Sequence, residues 1–146
     1  NSKEIGNGKV KAKDMHRTAR PGAAANAYTL GGTTVTNPNE VTVQTVEIEM
    51  PTKGHLVAFA SFQFGFNSGE GGDYTVTLDS TVYSDTFSNG GSRINGLSEE
   101  AASVTGLFMD VEEGPHTVRL ICVADAGDAI TVRRRSLTVM SVPGLL

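Results

Sequence analysis

The residues of this sequence able to do chemistry are scattered, and their spacing argues against most of it. His16, His55 and His116 have no second His or Cys at ligand spacing, so a zinc site is not expected. Ser, His and Asp are all present, but no Gly-x-Ser-x-Gly elbow or other nucleophile motif supports a hydrolase. Carboxylates pair at Glu47/Glu49, Glu99/Glu100 and Glu112/Glu113. Glycosidase chemistry needs two carboxyls across a cleft, about 5–10 Å apart, whereas strand alternation puts Glu47 and Glu49 side by side on one solvated face. The stretches Asp125–Asp128 and Glu70–Asp73 offer oxygen ligands that suit Ca²⁺, but neither has EF-hand or repeat spacing, and Asp and Gly there read first as turn residues. The single Cys122 cannot form an internal disulfide and sits on one strand face with Val118, Leu120 and Ala124, as a small apolar residue would. No catalytic residue, metal site or cofactor is expected, and the chain reads as non-enzymatic.

One cationic cluster stands out, Arg133-Arg134-Arg135. On a regular strand Arg133 and Arg135 share a face, while Arg134 falls on the face of Ile130 and Val132. The strand therefore ends or bulges here, or Arg134 meets a carboxylate. Arg133 and Arg135 are candidate interface residues, because guanidinium forks suit carboxylates such as Glu47 or Glu49 of a neighbouring subunit.

The elements that would position these groups are strands. In His55–Asn67, alternation places Leu56, Ala58, Ala60, Phe62, Phe64 and Phe66 on one face and Val57, Phe59, Ser61, Gln63 and Gly65 on the other. The first face is core. Val57 and Phe59 form a small apolar patch on the second, a candidate for subunit contact or for covering by an arm. Val41–Met50 alternates with Val46, Ile48 and Met50 inward, and Pro51–Gly54 turns into the Phe-rich strand as an antiparallel hairpin. Further strands are expected at Tyr28–Leu30, Tyr74–Leu78, Thr81–Phe87, Ala101–Met109, Thr117–Ala124, Ala129–Arg135 and Leu137–Val142. The loops 67–73 and 88–98 hold the candidate ligand-facing residues Asp73, Asn89, Arg93 and Asn95. About eight strands spaced by turns, with no credible long helix, fit a sandwich or jelly roll, and the expectation taken forward is an all-β antiparallel β-sandwich of jelly-roll type.

Residues 1–27 differ from the head, residues 28–146. Ile5, Val10 and Met15 recur every five positions, a spacing of neither helix nor strand, and Gly6, Gly8, Pro21 and Gly22 interrupt the run. This piece reads as an extended N-terminal arm whose three apolar anchors need a surface elsewhere, on this subunit or a neighbour. With 38% hydrophobic and 19% charged residues and 17 Gly, the chain is globular and rich in turns. A net charge of −4 gives no broad electrostatic footprint for nucleic acid, and no apolar run is long enough to span a bilayer.

Asn1–Met15 resembles the "NSxxIxNGxVxAxD-hydrophobic" segments that precede stalks or globular heads in bacterial surface proteins and phage fibre or capsid-associated proteins. Val111–Leu120 and Arg135–Pro143 resemble the closing hairpins of jelly-roll heads in such proteins, whose architecture is similar to C1q/TNF-type trimers. The resemblance covers the arm and the last third; Gly-X-Y stalk repeats are absent. It implies a non-catalytic, surface-displayed structural or adhesive subunit on a virion or bacterial cell. Such a subunit self-assembles through its arm as a homotrimer or, if the contact does not close, a fibre, within a larger capsid, tail or cell-surface assembly. The alternative is a carbohydrate-binding jelly roll, against which the absence of Trp and the presence of only 3 Tyr count. An enzyme ranks third.

Overall fold

The computed structural model describes residues 22–65, 71–83, 92–95 and 99–143. Among them every regular element is a strand: β1 (Ala24–Thr29), β2 (Thr33–Thr36), β3 (Glu40–Met50), β4 (Gly54–Gly65), β5 (Gly71–Leu78), β6 (Ser92–Asn95), β7 (Glu99–Val111), β8 (Gly114–Ala124) and β9 (Ala129–Pro143). The strands β1 and β2 lie end to end along β9, against Arg135–Met140 and Ala129–Val132, so together they fill one lane. Numbered in chain order, the eight lanes run 1-8-3-6 in one sheet and 2-7-4-5 in the other. First lies beside last, second beside seventh, third beside sixth and fourth beside fifth, as when one long antiparallel ribbon rolls up on itself. This is the jelly roll.

That topology corrects several local expectations. Pro51–Lys53 does not close a hairpin, because β3 pairs with β8 in the second sheet and β4 with β7 and β9 in the first. The turns at 112–113 and 125–128 likewise pass between sheets. Among the described strands only β5 and β6 pair as consecutive neighbours. A turn sequence specifies a reversal of the chain; the sheet that receives the next strand is decided by which lane is vacant. The two strands expected at 129–135 and 137–142 are one, β9, running through an irregularity at Arg134. The strand β1 starts at Ala24, inside the stretch assigned to the arm, because pairing with β9 overrides the weak β-propensity of Ala and Asn.

The core is where the Phe-rich strand placed it. Leu56, Ala58, Ala60, Phe62 and Phe64 are all buried, against Val46, Ile48 and Met50 of β3, Val76 of β5, and Val118, Leu120 and Cys122 of β8. Phe66 lies outside the described residues. Phe62 sits edge-on to both Phe64 and Tyr74, with ring centroids 4.9 and 4.8 Å apart, the offset arrangement that aromatic quadrupoles favour. Gly106 allows β7 to approach β5 closely, since a Cβ there would collide with Cγ2 of buried Val76.

Candidate functional site

The two sheets differ on their outer faces. In the second, Thr75 and Ile121 are fully buried although their neighbours Val76, Leu120 and Cys122 already fill the inner face. The chain itself crosses this outer face after β5: Thr77 donates to the carbonyl of Ser80 (2.7 Å), and the amide of Tyr83 donates to Glu40 on β3 (2.8 Å).

Among the described residues nothing covers one end of the outer face of the first sheet. Val57 and Phe59 point outward as expected, Phe59 being 43% exposed. The register adds what the sequence alone could not: Val57 stands between Leu107 of β7 and Met140 of β9, and His55 beside Val142. Leu107, Met109, Met140 and Val142 are exposed large apolar residues, Met109 the most at 59%. With Val57 and Phe59 they form a band across β7, β4 and β9. Around it lie Ser61, Ser103, Thr105, Ser136, Thr138, Ala24 and Asn26; among the described residues, basic side chains flank this face at His55 on one end and at Arg133, beside Gln63, on the other. Part of the signal was present in the sequence, since both alternating faces are apolar around 107–109 and 139–142, but the adjacency of those pairs was not.

The strand bulges at the arginine cluster, one of the alternatives left open by the sequence, but Arg133 and Arg135 are parted by it. Arg134 adopts a positive φ of 47°, and β9 shifts register against β4 between the Ser61 and Gln63 pairings. This bulge reverses the alternation, so Arg133 turns outward beside Gln63 while Arg135 points inward and is 7% exposed. The two therefore do not share a face, and Arg135 is buried within the subunit instead of facing outward. Its guanidinium donates to three backbone carbonyls: Val43, Gly31 (2.6 Å) and Val132 (2.9 Å). Val43 lies at the bulge in β3, between Thr42 and Gln44, and Gly31 in the break between β1 and β2. Three interruptions of the ladder thus converge on one cation, whose fixed fork of donors supplies the partners that the strands omit.

Three of the four candidate ligand residues lie in strands. Asp73 is in β5, paired with Val123 and Arg93, and the backbones of Arg93 and Asn95 belong to β6. Asn89, like the arm anchors Ile5, Val10 and Met15, is outside the described residues. Asp128 does turn work, its carboxylate accepting the Gly71 amide at 2.9 Å, with Gly127 at φ 83°. Among the described residues no group of three or more His, Cys, Asp or Glu side chains could hold a metal ion.

One polar constellation went unforeseen. His116 places Nδ1 2.7 Å from Oδ2 of Asp79 and Nε2 2.8 Å from the carbonyl of Glu112, while Asp79 Oδ1 accepts the Thr117 amide at 2.8 Å. Both ring nitrogens face acceptors, so the imidazolium satisfies both. Burial pushes His116 down, but its bonds to Asp79 and Glu112 and the charges of Asp79 and Glu49 outweigh that and hold it above its ordinary value of 6.5. Burial likewise works to raise Asp79, yet the bonds from His116 and Thr117 and the charges of His116 and Arg119 hold it below 3.8.

The signs follow. The histidine's contribution is complete below about pH 6.5 and is lost as pH rises through its raised folded value. The aspartate's is present above its unfolded value and is lost as pH falls through the lowered one. The unfolding free energy from urea titrations should therefore decline as pH rises above about 6.5, by less than about 1 kcal/mol because Asp79 is half exposed. His116→Gln should remove that slope; a decline of equal size in the variant would exclude His116 as its source.

No family model matches the sequence, and neither does any curated protein. Similarity to solved structures is confined to shape. A chain in the structure of infectious bursal disease virus Gx strain is 11% identical with a TM-score of 0.50, over 82% of this chain and 32% of that one. Eiger TNF from S. frugiperda is 11% identical, TM-score 0.46, over 87% of this chain and 96% of that one. The CBM36-1 domain of a multidomain xylanase from the hindgut metagenome of Trinervitermes trinervoides is 13% identical, TM-score 0.41, over 86% and 100%. The likeness is one of fold. Among the described residues no helix is long and apolar enough to cross a membrane.

Proposed function

We propose that the chain is a non-enzymatic structural or adhesive subunit that assembles with copies of itself, as a trimer or a fibre, on the surface of a virion or bacterial cell. The observation that supports this reading is the charge-free apolar band on the outer face of the first sheet. Exposed apolar area forgoes about 25 cal/mol per Å² of burial, and a contiguous patch with a polar rim is how the centre of an interface is composed. Subunits of net charge −4 repel one another over most of their surface. The band is where two copies can approach without opposing like charges. If the contact closes on itself the product is a ring such as a trimer; if it does not, a fibre.

Native mass measurement of the full chain tests this directly. The expected result is a defined multiple of the chain mass. Phe59→Glu combined with Met140→Glu, both at exposed outward positions, should shift it to monomer with an unchanged β circular-dichroism spectrum. A wild-type chain that remains monomeric at micromolar concentration overturns the reading.

A further inference from the structure

We infer that the occupant of the apolar band is the N-terminal arm, residues 1–21, of a neighbouring copy. This rests on the assembly reading above and names what fills the contact. The arm emerges beside the band. Next to the arm, Ala23 donates its amide to Ser141 Oγ (2.6 Å), and the amide of Ser141 donates back to the Ala23 carbonyl (2.8 Å). Ser141 lies between Met140 and Val142, so the chain leaves the head on the border of the band. Twenty-one extended residues reach up to roughly 70 Å, while the band crosses three lanes spaced about 4.8 Å apart. The arm is thus long enough to leave its own head and traverse the same band on the next.

Charge supports the same placement. Residues 1–21 carry Lys3, Lys9, Lys11, Lys13, Arg17 and Arg20 against Glu4 and Asp14, a net of +4. The whole chain is −4, so residues 22–146 carry −8. A basic arm on an acidic head is attracted to another head, while bare heads repel. At the β7 side of the band, Asp110, Glu112 and Glu113 lie exposed just beyond Met109. Ile5, Val10 and Met15 match an apolar surface bounded by carboxylates: the anchors lie on Phe59, Leu107 and Met140, and the intervening lysines reach the acidic rim.

Disulfide trapping in the full chain tests the placement, with Cys122 fully buried and so silent under mild oxidation. Lys11→Cys in one tagged chain is mixed with Thr105→Cys in another; Thr105 is exposed and pairs with Phe59 across the band. Thr45→Cys, exposed on the second sheet, is the control. The expected product is a mixed Lys11→Cys/Thr105→Cys dimer, at least tenfold over the control, and deletion of residues 1–20 should leave a folded monomer. Trapping only within a chain carrying both substitutions, or Thr105→Cys homodimers that persist without the arm, overturns the proposal. In the second case, heads meet face to face and the assembly reading survives. A chain that is monomeric and traps nothing overturns both.

Discussion

Arg135→Leu should lower the unfolding free energy by about 2–4 kcal/mol, a large share of the 5–15 kcal/mol typical of a domain. The substitution relieves the burial of a cation but leaves the carbonyls of Val43, Gly31 and Val132 without the donor that reaches them. Water can reach the Gly31 carbonyl more easily than the other two, which lie in buried contacts. Arg135→Lys separates charge from geometry. An ammonium keeps the charge but cannot span three acceptors in a fixed plane, so it should recover less than half of the loss. Urea unfolding with an unchanged m-value measures both. A leucine variant as stable as the wild type would show that the three irregularities hold without the guanidinium.

Phe62 and Phe59 make the second test, because they stand three residues apart on β4 and face opposite ways. Phe62→Ala removes the ring that contacts both Phe64 and Tyr74 in a fully packed core, and should cost about 3–5 kcal/mol. Phe59→Ala truncates a ring that is 43% exposed in the single subunit, so head stability measured in the arm-deleted chain should change by about 0.5 kcal/mol or less. Its effect should appear instead in the mass of the full-length assembly. Comparable destabilisation of the isolated head by both substitutions would mean that Phe59 supports the fold itself and that the band is not held for a partner.

The sequence alone determined which residues of the regular strands face the core. Side-chain alternation is a property of the extended backbone, so Leu56, Phe62 and Phe64 could be assigned inward, and Val57 and Phe59 outward, with no knowledge of neighbouring strands. The number of strands and the turns between them pointed to an all-β sandwich or jelly roll for the same local reason.

Tertiary structure decided how those pieces meet. The reversal at 51–53 reads as a hairpin and those at 112–113 and 125–128 as turns, yet each crosses between sheets, because a turn specifies local dihedral angles and not the partner of the strand that follows. Arg135 read as exposed because alternation was counted through Arg134; one bulged residue with φ at 47° reverses the count and carries the charge into the core. Asp79 and His116 are 37 positions apart and meet only because β8 pairs with β5. The apolar band has the same origin. Leu107, Met109, Met140 and Val142 are unremarkable in their own strands, and become one surface with Val57 and Phe59 only when the register of three strands aligns them. Non-local pairing, which no local pattern encodes, produced both the buried arginine and the surface on which assembly would begin.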